Sequence, residues 1–127
     1  MKVFLKNIFF FLTGGTFYCL LEILWRGQSH PSMFAAGGFC FLILLDISKL
    51  NMPLLIKAAI GCLAITATEF FCGIILNRVL SLNVWDYSSV PFNLMGQICL
   101  PYSAIWLFLS FTVIWTANKY HKYKKLK

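Results

Sequence analysis

Four apolar runs divide the chain, at about residues 8–25, 33–49, 58–77 and 94–117, and short polar segments separate them. A helix needs about 20 apolar residues to cross a hydrocarbon core of about 30 Å, so each run is long enough to span a bilayer. The runs are too long for strands and lack alternation of period two. Helices therefore fit better than a barrel. The second run is the weakest, since only Met33 to Leu45 is free of charge. The connections Arg26–Ser32, Leu50–Lys57 and Arg78–Asn93 are short, and two of them carry breakers, Pro31 and the pair Val90-Pro91. The pattern predicts an all-α membrane fold, a four-transmembrane-helix bundle forming one domain over residues 1–127, with a basic tail at 118–127.

Composition supports this reading. Of 127 residues, 60% are hydrophobic and 12% charged, where soluble domains run near one-quarter charged. The start of the chain has features of a signal peptide, with Lys2 and Lys6 before an apolar stretch. It lacks an A-x-A-like cleavage site and stays apolar to Trp25, which predicts a retained first helix. The five cysteines all fall in apolar stretches without metal-ligand or redox spacing, so no metal and no cofactor is expected.

The net charge of +7 changes the picture in one respect. Basic residues here are spread over the flanks of the runs, and the only cluster is the lysine tail. That distribution argues against nucleic acid and for a topology signal that also meets anionic headgroups. Lys2, Lys6, Lys49, Lys57 and the five tail lysines fall on one side, and Arg26 and Arg78 on the other. The excess predicts that both termini are cytoplasmic, in a multi-pass protein of the plasma membrane.

Charges inside spans are costly and usually face protein or a water-filled cavity. Asp46 pairs with nearby Lys49 at the inner face. Glu22, Glu69 and Asp86 lie toward the outer side with Arg26, Arg78 and His30. Glu22 and Arg26, four apart, share a helical face. Glu69 lies deep, and Glu69, Gly73 and Asn77 repeat every four residues, with Gly73 leaving room for a backbone or ligand. Asn93 and Gln97 open the fourth run, where Pro101 removes the hydrogen bond to the Gln97 carbonyl and predicts a kink. His30 is a candidate general base or a solvated loop residue. Glu69 is expected to face the bundle interior, with charge from Arg26 or Arg78 and hydrogen bonds from Asn77, Asn93 or Gln97. Ala64, Thr68 and Cys72 put small side chains on one face, consistent with a homo-oligomer or with packing inside one subunit. No GxxxxGK[ST] motif occurs.

Taken together, E-x-x-W-R-G-x-x-H, E-F-x-x-G-x-x-x-N, W-D-Y-S and N-x-x-G-Q make nearly the whole chain resemble the family called putative ABC-transporter type IV, small permease-like membrane proteins. The positions that carry the resemblance are Glu22, Trp25, Arg26, Gly27 and His30; Glu69, Gly73 and Asn77; Trp85, Asp86, Tyr87 and Ser88; and Asn93, Gly96 and Gln97. The resemblance implies a transport component. Four short helices without a nucleotide-binding domain then imply an oligomer, a separate ATPase subunit, or both. Two other classes stay open: a membrane enzyme acting on a lipid or headgroup at the outer leaflet, with catalytic residues unassigned, and a structural or regulatory subunit whose polar residues lock helices together.

Overall fold

Helix α1 runs Lys2–Arg26, α2 Pro31–Ser48, α3 Leu54–Gly73 and α4 Leu100–Leu126 in a computed structural model. It describes residues 1–126, with all side chains except those of Arg26, Lys125 and Leu126. All four helices, α3 together with the turn that extends it, are long and apolar enough to cross a membrane. At about 1.5 Å per residue, α4 with its 27 residues is about 40 Å long. It therefore continues through most of the segment read as a separate tail. Local chemistry sets several boundaries. Gly27 closes α1 in a left-handed conformation, φ 79°, and its N–H returns to the Ile23 carbonyl at 2.8 Å. Pro31 is the first residue of α2, where a missing N–H costs nothing. His30 stands before it as a cap: its Nδ1 accepts the Ser32 N–H at 3.2 Å, and its carbonyl accepts the Met33 N–H at 2.8 Å.

The chain forms two compact units, Met1–Ile43 and Leu44–Lys127. In the first, α1 and the start of α2 meet through glycines. A Cβ at Gly14 would stand 2.4 Å from Phe41 Cβ, and one at Gly38 would stand 2.5 Å from the Phe11 carbonyl oxygen. Only the missing side chains let these backbones approach so closely.

In the second unit α3 packs along α4. The buried residues of α3 include Gly61, Ile65, Glu69 and Gly73, one per turn. They face the buried stripe Trp106, Ser110, Ile114 and Ala117 of α4. Repeats of four and three are the ridges by which helices interlock. At the end near the chain terminus, Lys57 is buried, 5% exposed. Its ammonium donates to the Ser48 carbonyl of α2 at 3.0 Å and to Asn118 Oδ1 of α4 at 3.2 Å. Lys57 thus sits inside α3 and joins three elements, where the flank reading had it in a loop. Asp46 and Lys49 approach to 3.6 Å.

Two expectations about the fourth run are corrected. α4 begins at Leu100, not at Leu94. Residues 93–99 instead form a short antiparallel hairpin, β1 Asn93–Leu94 against β2 Ile98–Cys99, with Asn93 opposite Cys99. Pro101 is accordingly the second residue of the helix and makes no kink, because its missing N–H falls in the first turn, where donors have no intrahelical partner. The hairpin forms because Met95 and Gly96 both take positive φ, 55° and 72°, and reverse the chain between the strands.

Candidate functional site

α3 continues into a wider π-helical turn, Ile74–Val79. There the Leu80 N–H reaches back five residues to the Ile75 carbonyl at 2.9 Å. Such turns occur often at functional sites. The chain then leaves the helix through Ser81 and Asn83, both at positive φ, and Phe92 and Met95 share that conformation. A left-handed backbone costs roughly 1–2 kcal/mol at a non-glycine residue. The surrounding contacts must offset that cost, and they are hydrogen bonds.

Three amide side chains supply most of them. Asn77 Oδ1 accepts the Val84 N–H at 2.6 Å and the Trp85 N–H at 3.4 Å, and its Nδ2 donates to Gln97 Oε1 at 2.8 Å. Gln97 Nε2 donates to the Met95 carbonyl at 3.0 Å, and its own carbonyl accepts the Trp85 indole N–H at 3.0 Å. Asn93 Nδ2 donates to the Val90 carbonyl at 2.9 Å and the Ser88 carbonyl at 3.3 Å, and its Oδ1 accepts the Gly96 N–H at 3.1 Å. Each bond contributes about 1 kcal/mol net, and an unmade one in a buried place costs more. Asn77, Asn93 and Gln97 therefore hold residues 80–99 in shape. Gly73 leaves the space they need: a Cβ there would meet Gln97 Oε1 at 2.5 Å. The room expected above Gly73 is filled by Gln97 and by Trp85, itself buried.

Below this loop Glu69 is buried, 7% exposed. The Tyr87 hydroxyl donates to its Oε2 at 3.3 Å and the Trp106 indole N–H to its Oε1 at 3.3 Å. Tyr87 also stacks on Tyr102, centroids 4.8 Å apart. The amides expected to bond Glu69 are instead engaged with the loop and with one another. Trp106 and Tyr102 escaped the sequence reading, because aromatic residues within an apolar run carry no sign of polar partnership. The spacing signal was present: a residue on α4 facing α3 at the depth of Glu69 needs a donor.

Between hairpin and π turn lies a cleft of about 410 Å³, whose lining includes Arg78, Asp86, Asn93 and Gln97. Arg78 is exposed and gives one N–H to the Met95 carbonyl at 3.2 Å. Asp86 is exposed, and its Oδ1 accepts the Ser88 N–H at 2.9 Å and the Ser88 hydroxyl. Those two bonds favour the carboxylate and hold its pKa below the ordinary value.

The remaining candidates belong to the first unit. Glu22 is buried on α1, and Trp25 is exposed. The Arg26 side chain lies outside the described residues. His30 serves as the cap of α2 and also meets the Ser32 hydroxyl at 2.6 Å. Among the described residues no cluster of three or more histidine, cysteine or acidic groups is arranged to hold a metal ion.

The sequence profile of the family described as putative ABC-transporter type IV matches residues 9–126. Neither the curated proteins nor the solved structures yield a match.

Proposed function

Because the chain belongs to the putative ABC-transporter type IV family and has four helices long and apolar enough to cross a membrane, we propose that it is a permease-like transport component. Its ligand site is the cleft between the hairpin and the π turn, it opens to the outer side, and it takes a polar or lipid-like ligand. The observation that carries this reading is the cleft itself. It is polar, it sits at the ends of two candidate spans, and it presents two exposed charges, Arg78 on the π turn and Asp86 on a loop held by three amides. Preformed concave sites with a few placed polar groups are where ligands bind. The lysine excess on the opposite flanks supports the outward direction and cytoplasmic termini. Glu69, one layer deeper and bonded to Tyr87 beside Asp86, is the group through which the loop and the α3–α4 pair respond to the ligand. The family match supports a separate ATPase subunit as the source of energy for transport.

The test compares native cells lacking the chain after complementation with wild type, Arg78→Gln or Glu69→Gln. Mass spectrometry of lipids and polar metabolites in cells and medium is the readout. Wild type should restore the distribution of at least one polar solute or lipid, and both variants should fail to do so at normal protein levels. Unaltered profiles in the cells lacking the chain, or full complementation by both variants, would overturn the reading.

A further inference from the structure

Three of the four amides that line the cleft, Asn77, Asn93 and Gln97, are committed to the loop, so a ligand meets the two charges and the exposed Asn83. Arg78 uses one of its five N–H donors, on the Met95 carbonyl. Asp86 uses Oδ1 for Ser88, and Oδ2 makes no hydrogen bond with any described residue. Both residues line the same cleft. Neither forms an ion pair with the other or with any other described residue. A cleft with one open guanidinium and one open carboxylate disfavours a ligand of single charge, which would bring a like charge against one of the two. It favours a ligand that carries both signs.

The surroundings narrow the class further. Phe92, Leu94 and Met95, on the same loop, are exposed, Phe92 to 80%. Apolar side chains beside a polar cleft at the ends of two candidate spans suit a molecule with acyl chains and a polar head. A guanidinium binds a phosphodiester through paired N–H donors. The open Asp86 oxygen accepts an N–H, which a primary ammonium has and a quaternary one lacks. Trp85 is buried and bonded to Gln97, so it offers no aromatic cage for a quaternary head.

We propose that the cleft of Arg78 and Asp86 binds an ethanolamine phosphodiester, with the phosphate on Arg78 and the ammonium on Asp86, as a lipid headgroup or as the free headgroup compound. The proposal rests on the cleft being the ligand site.

The experiment uses the full chain in nanodiscs and native mass spectrometry. Phosphatidylethanolamine, phosphatidylglycerol and phosphatidylcholine are offered in equal amounts. Glycerophosphoethanolamine, glycerophosphoglycerol and ethanolamine are then titrated into discs of phosphatidylcholine. Phosphatidylethanolamine should be retained at least tenfold over the other two lipids, and glycerophosphoethanolamine should bind at least tenfold more tightly than either singly charged probe. Arg78→Gln and Asp86→Asn should each weaken the retained species about tenfold, with unchanged far-UV circular dichroism. Binding of the glycerophospho compound without retention of the lipid would identify the free compound as ligand. Equal retention of phosphatidylglycerol, binding unaltered in both variants, or no binding of either ethanolamine species would overturn the proposal. If Arg78→Gln still fails to complement cells in that event, only the ligand class is wrong. If it complements fully, the cleft is not the site.

Discussion

Asp86 on the loop and Asn77 on the π turn before it show how differently two polar residues are used. Asp86 is exposed and held ionised by Ser88. A carboxylate with a lowered folded pKa contributes stability that is present above the ordinary value of about 3.9 and is lost as pH falls through the folded value. The loop should therefore keep this contact through neutral and mildly acidic pH and release it only below about 3.9. A carbon-13 NMR titration of Asp86 should give a midpoint below that of a model peptide, and Ser88→Ala should move it upward. An unmoved midpoint would show that the Ser88 contacts do not act on the charge. Asn77 spends its side chain on Val84, Trp85 and Gln97. Gly73→Ala would push a methyl group into Gln97 Oε1 and should cost about 1–3 kcal/mol, the usual range for overpacking. Limited proteolysis would report it as faster cleavage within residues 80–99. The spacing of Glu69, Gly73 and Asn77 was legible because polar residues in an apolar helix are conspicuous. Their partners were not, because hydrogen bonds to residues 84–106 depend on how the loop folds back.

Helix pairing explains residues that carry no polar chemistry. Gly14, Gly15, Gly37 and Gly38 all lie where a Cβ would come within 2.6 Å of the neighbouring helix. Gly38→Leu should separate α1 from α2, whereas Ala35→Leu, at an exposed position of the same helix, should be tolerated. Thermal unfolding in detergent would separate the two outcomes, with a loss of several degrees expected for the first alone. Lys57 is a second case. It was read as a flank charge, and it instead gives α2 a donor at its last carbonyl and binds Asn118. A cation at a helix C-terminus is favourable, and here it also ties the end of α2 and the first turns of α3 to α4. Its sequence neighbourhood, after a proline and before an apolar run, resembled any membrane flank.

For the whole molecule the decisive property is direction across the bilayer. By position in the sequence, nine lysines fall toward one side of the four apolar runs and two arginines toward the other, out of 11 basic residues. The prediction is that the loop bearing the cleft is outside and the Lys119–Lys124 end of α4 is inside. In a cysteine-free background, Asn83→Cys should react with an impermeant maleimide on intact cells, and Lys122→Cys should react only after permeabilisation. The reverse pattern would invert the topology and place the proposed site in the cytoplasm.

The sequence by itself determined that the chain is helical and apolar enough to span a membrane four times, and it located the polar residues that stand out from those spans. Hydrocarbon demands long uninterrupted apolar helices, and such runs are visible without any knowledge of contacts. The tertiary structure alone decided what the polar residues do. Asn77, Asn93 and Gln97 became a loop scaffold, His30 a cap, Pro101 a helix start, and Arg78 with Asp86 the open charges of a cleft. Those assignments turn on which donor meets which acceptor after the chain reverses between residues 80 and 99, and reversal geometry is set by backbone conformation and close packing that periodicity does not encode.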